Sequence, residues 1–117
     1  MIHEEKKTAK IVEELTMFFF AIGAAQISSR IEKQGETAVI SFEADYDPVY
    51  RDKLRHLDQY LNGQKNYGME GVYWELAGSG DPGETNQLLL IGMMIDRAEI
   101  EIDEKLVRLK LYKKLLN

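Results

Sequence analysis

Three aromatic residues stand in succession at Phe18, Phe19 and Phe20, inside the run Val12-Glu13-Glu14-Leu15-Thr16-Met17-Phe18-Phe19-Phe20-Ala21-Ile22-Gly23. On a helix, successive residues turn by about 100°, so three of them sweep about 200° of the circumference. One face of a surface helix cannot hide all three. Either the helix is buried on most sides, or one ring fills a pocket or meets a partner. Ile11, Leu15, Phe18, Phe19 and Ile22 recur at helical spacing, which predicts a helix over 4–22 stopped by Gly23. Phe18 and Phe19 fit that stripe. Phe20 falls outside it and is the ring expected at the surface, as an interaction residue.

The chain beyond this helix changes period. Residues 25–32 alternate, with Ala25, Ile27, Ser29 and Ile31 on one side, and residues 37–44 alternate again through Ala38, Ile40, Phe42 and Ala44. Lys33-Gln34-Gly35-Glu36 between them reads as a turn, so the two runs form a β-hairpin with one buried side. Asp47 is placed to cap a helix whose first residue is Pro48. That helix is predicted to reach Asn62, with Tyr50, Leu54, Leu57 and Leu61 as its apolar stripe.

Residues 64–83 are glycine-rich and irregular. Met69, Val72, Tyr73 and Leu76 keep helical spacing and predict a short helix ending at Gly78, followed by a Gly78–Gly83 loop. Trp74 lies just beside that stripe and is a second candidate interaction residue. Thr85 to Asp96 reads as a helix that is apolar on nearly all sides and hence largely buried, with Gly92 allowing close approach to the sheet. A second hairpin follows, 98–102 and 105–112, with Arg108 and Lys110 toward solvent. Two amphipathic hairpins need a cover, and the intervening helices supply it. The expected fold is a single α+β domain over residues 1–117: a two-layer sandwich with one four-stranded mixed sheet and three main helices on one face.

A length of 117 residues suits one domain, and 44% hydrophobic with 30% charged residues is ordinary for a soluble globule. The net charge of −5 argues against a nucleic-acid partner, which requires a basic footprint. The longest apolar run, Met17 to Ala25, is too short to span a bilayer, so no membrane association is expected. The chain has no cysteine, which removes thiolate chemistry and cysteine–zinc sites and fits a reducing cytoplasm. His3 and His56 are its only histidines and lie in unrelated elements, so no metal site is expected. Asp45 and Asp47 resemble a carboxylate pair, but a strand end followed by a helix cap explains them more simply.

The element order, with Val12–Phe18 on the first helix and Leu88–Asp96 leading into the closing hairpin, resembles the GHKL-type ATPase domain of histidine kinases and anti-sigma-factor kinases. In that family a helical Glu orders the reaction site, and an Asn four residues later ligates magnesium. Glu14 matches the Glu, while Phe18 stands at the Asn position. The family's Asp-x-Gly-x-Gly, whose Asp reads adenine, corresponds to Asp45-Tyr46-Asp47-Pro48, and its phosphate-holding Gly-x-Gly turn to Gly80-Asp81-Pro82-Gly83. A phenyl ring offers magnesium no oxygen, and Pro82 removes an amide donor. The resemblance therefore implies a histidine-kinase-ATPase-like fold with eroded nucleotide motifs and Phe18 as a pocket filler. The expected role is non-catalytic and regulatory, contacting another protein or a second copy of itself, with no cofactor. The alternative is an ATP- and magnesium-binding serine kinase of the anti-sigma type, with Glu14 catalytic and Asp45, Gly80 and Gly83 binding nucleotide. A third reading is an unrelated α+β domain with a ligand pocket between the sheet and the glycine-rich loop.

Overall fold

The computed structural model describes residues 2–63 and 85–115. Helix α1 spans Ile2–Ala21, strands β1 and β2 span Ile27–Gln34 and Thr37–Asp45, and a 3-10 helix covers Pro48–Leu54. Helix α2 is Leu57–Asn62, helix α3 is Thr85–Met94, and strands β3 and β4 are Arg97–Ile102 and Leu106–Lys114. The helix predicted to end at Gly78, together with Trp74, Gly80 and Gly83, lies outside the described residues.

The architecture is a two-layer α+β sandwich: one four-stranded sheet in the order β1-β2-β4-β3, with the helices on one face. All three strand pairings are antiparallel, which corrects the expectation of a mixed sheet. The two hairpins dock through their second strands, with Ile40 opposite Leu111 and Phe42 opposite Leu109. Two hairpins running the same way along the sheet would have joined in parallel. These two run so that the long β2–β4 pairing closes antiparallel, and that choice depends on how the helices between them return the chain.

The core forms where the sheet's inner residues Ile40, Phe42, Val107, Leu109 and Leu111 meet Ile11, Leu15, Phe18, Phe19 and Ile22 of α1 and Leu57, Leu61, Leu88 and Ile91 of α2 and α3. Phe19 stacks at a tilt on Phe42, their ring centres 5.4 Å apart. The β1–β2 turn is two residues long, with Gly35 at φ 64° and Gln34 paired to Thr37. Positive φ at the first loop position alone is the pattern of a type II′ turn.

Three sequence expectations need revision. The helix foreseen over 48–62 is broken: a 3-10 segment capped by Asp47 runs to Leu54, and α2 starts again after His56. Leu54 is the only buried residue of the first piece, and Tyr50 is exposed, so packing does not demand a continuous α-helix there. Gly92 approaches α2 rather than the sheet: a Cβ added there would lie 2.1 Å from the Tyr60 carbonyl oxygen. Finally, β1 is partly buried only at its start. Ile27 packs against the core, while every residue from Ser28 to Gln34 is exposed.

One charged side chain works inside the sandwich. Lys113 is buried at the end of β4, and its Nζ donates to the Met94 carbonyl at 3.0 Å and to Glu4 Oε2 at 2.9 Å. It therefore ties the C-terminal end of α3, where carbonyls lack helical partners, to the first turn of α1. The hydrogen bond from Lys113 is the main reason the Glu4 carboxyl titrates below its usual range. Lys113→Met is expected to lower the unfolding free energy at neutral pH by about 1–3 kcal/mol, the cost of stranding partly buried partners. A carboxyl depressed in the folded state contributes stability above its unfolded pKa and loses it as pH falls through the folded value. The gap between wild type and Lys113→Met in urea melts should therefore narrow on acidification below the ordinary carboxylate range. A gap that stays constant would disprove the Glu4 linkage.

Candidate functional site

Glu14 and Phe18 sit on the same side of α1, one turn apart, and Glu14 meets the start of α3. Glu14 is largely buried. Its Oε2 accepts a hydrogen bond from Gln87 Nε2 at 2.7 Å, and its Oε1 pairs with Lys10 at 3.1 Å. Both carboxylate oxygens thus have protein partners, one of them across the α1–α3 contact. Phe18 is 0% exposed and meets Phe19 edge-to-face at 5.2 Å. Its ring is part of the core rather than the wall of an open cleft.

The Asp45–Asp47 joint is a structural clasp. Asp45 Oδ1 accepts hydrogen bonds from the Ala25 and Gln26 amides at 2.7 and 3.0 Å, fastening the α1–β1 connection to the end of β2. Asp47 donates its own amide to the Ile22 carbonyl at 2.9 Å, and its side chain accepts from the Val49 amide at 3.1 Å as the cap of the 3-10 helix. Gly23 makes the approach possible: it holds φ at 91°, and a Cβ there would lie 2.7 Å from Asp47 Cβ. Tyr46 between the two acids is buried, and its hydroxyl donates to the Asp103 carbonyl at 2.8 Å. Both acids of this joint are thus engaged with the chain's own backbone.

Asp45→Ala is accordingly expected to cost about 1–2 kcal/mol of folding stability, because it removes a charged acceptor shared by two amides near the surface. Urea denaturation checks this. If the residue served only to read a base, the variant would keep wild-type stability.

Phe20 is 58% exposed and Met17 43% exposed on the outer side of α1. The open face of the sheet carries a feature that sequence reading did not single out. A shallow groove of about 550 Å³ crosses it, flanked by Ser28, Arg30, Ser41, Glu43, Arg108 and Lys110. Arg108 lies at its centre, with Nε donating to Glu43 at 2.8 Å and Nη1 to Glu101 at 2.9 Å. Those bonds, Glu101 first, push the guanidinium pKa further up. The alternation of acids on β2 and β3 with bases on β4 was the available signal, once the strand order put β4 between them. Such exposed pairs contribute little stability. Among the described residues, no three His, Asp or Glu side chains converge to hold an ion, and no helix is long and apolar enough to cross a membrane.

No protein-family model matches the chain, and neither a curated protein nor a solved structure shows a significant match. The class that the coordinates define is thus the two-layer α+β sandwich itself.

Proposed function

We propose that the chain is a non-catalytic regulatory module that acts by contacting protein, either another chain or a second copy of itself. The observation that carries this reading is the complete burial of the Phe18 ring; the resemblance aligns this residue with a magnesium-ligating amide, and a phenyl ring offers the ion no oxygen. Asp45 supports it, since its Oδ1 is taken by the Ala25 and Gln26 amides. The exposed Phe20 and Met17 support a contact role, because large apolar side chains side by side on a helix end favour burial by a partner. The lack of cysteine fits action in a reducing cytoplasm.

Calorimetric titration of the full chain with ATP, with and without magnesium, tests the reading. No saturable heat is expected up to millimolar nucleotide. Micromolar affinity that depends on magnesium would overturn it in favour of the anti-sigma-type kinase. In that case Glu14 would be the first residue to substitute.

A further inference from the structure

The two outer edges of the sheet are treated differently. On β3, the outward-facing backbone belongs to Ala98, Ile100 and Ile102, since Asp103 and Leu106 close the β3–β4 hairpin with a backbone bond and bonded pairs alternate from there. Asn62 covers the start of that edge. Its Oδ1 accepts from the Ala98 amide at 2.7 Å and its Nδ2 donates to the Ala98 carbonyl at 2.9 Å, so a side-chain amide stands in for a neighbouring strand.

The β1 edge has no such cover. The Asp45 amide donates to the Gln26 carbonyl, and Gln34 pairs with Thr37 at the turn, so the even-numbered residues of β1 bond to β2. Ile27, Ser29, Ile31 and Lys33 therefore direct their N–H and C=O groups away from the sheet. Among the described residues none bonds to them. Ile31 is 47% exposed and borders an apolar dent of about 190 Å³ lined by Ala9, Ala38 and Leu115. A long, regular, unpaired edge beside uncovered apolar surface is a template for another strand.

We propose that the occupant is a second copy of this chain, joined antiparallel through β1 about a two-fold axis at Ile31, so that two four-stranded sheets become one. Charge selects this occupant and this register. Centred on Arg30, the pairing sets Arg30 against Arg30 of the second copy, and centred on Glu32 it sets Glu32 against Glu32; like charges directly opposite are destabilising. Centred on Ser29, Arg30 faces only Ser28. Centred on Ile31, each Arg30 lies opposite Glu32 of the second copy, and the exposed Arg30–Glu32 contact within each chain, 3.6 Å, two in the pair of copies, is replaced by two across the interface. In the same register Ile31 meets Ile31 over the apolar dents, and Lys33, which pairs with Glu5 of its own α1, faces Ser29 rather than an apolar residue. The inward Lys33, which in another setting would guard an edge, is thus already neutralised. The interface is isologous and closes at two copies.

This inference deepens the reading of the chain as a protein-contacting module and names the contact. Sedimentation equilibrium of the full chain over micromolar to millimolar concentration tests it, with circular dichroism confirming that each variant is folded. A monomer–dimer equilibrium is expected. Arg30→Glu and Glu32→Arg should each weaken it at least tenfold, and the double swap Arg30→Glu/Glu32→Arg should restore it. Ile31→Pro, which removes an outward N–H and the central Ile31 side chain but leaves the β1–β2 bonds intact, should abolish it. A chain monomeric throughout, or a dimer indifferent to all these changes, would overturn the proposal. Neither result bears on nucleotide: ATP binding with an intact β1 dimer would sink the functional reading alone, and a monomer that binds no ATP would sink the dimer alone.

Discussion

Phe18→Asn is expected to unfold much of the population rather than to open a nucleotide site. The ring is fully buried, lies edge-to-face on Phe19, and belongs to the cluster that joins α1 to the sheet and to α3. Truncating a buried Phe costs about 3–5 kcal/mol through lost transfer energy and the cavity left behind. The asparagine amide then sits in that cavity with polar groups to satisfy, at a further cost of about 1–3 kcal/mol. Set against a typical domain stability of about 5–15 kcal/mol, this is a large share. Urea melts should show a much lower midpoint, and titration with magnesium–ATP should show no tight binding. Phe18→Leu, which keeps apolar volume, should lose far less. A Phe18→Asn variant with a near-native midpoint and micromolar ATP affinity would mean that the ring plugs a living site.

Gly92→Ala should destabilise the domain, and here the sign matters more than the size. In an exposed helix the change from glycine to alanine gains about 1 kcal/mol, because alanine loses less backbone freedom on folding. At position 92 the added methyl would stand 2.1 Å from the Tyr60 carbonyl oxygen and 3.3 Å from Leu61 Cα. Both are backbone atoms of α2, so no rotamer change relieves the clash, and the two helices must separate. The expected loss is about 3 kcal/mol, at the upper end of ordinary overpacking. Thermal or urea denaturation showing equal or greater stability would mean that α2 and α3 do not cross at this glycine.

The fate of the three phenylalanines is legible in the sequence. Phe18 and Phe19 share a stripe with Ile11, Leu15 and Ile22 and are buried, while Phe20 lies off it and is 58% exposed. The Asp47 cap and the Gly35 turn were legible for the same reason: both are chemistry between residues a few positions apart. The candidate site was much less legible. Asp45 could be seen as a strand-end acid, yet its bonds run to Ala25 and Gln26, about twenty positions away. Lys113 lies one residue beyond the strand predicted over 105–112, and only the docking of α1 and α3 over the end of β4 buries it against Glu4 and Met94.

Among the described residues, the amino-acid order by itself determined where most helices and strands form and which side of most of them is apolar. Periods of 3.6 and 2 residues are local properties of the backbone, and turns and caps are read over four or five residues. Tertiary structure alone decided that β2 pairs with β4 in antiparallel sense, that the predicted long helix breaks at His56, that Gly92 meets a helix, and that β1 is exposed from Ser28 to Gln34 with one edge unpaired. Each of these depends on which surfaces the finished layers cover. Coverage is settled by competition among segments distant in sequence, and no local pattern records it.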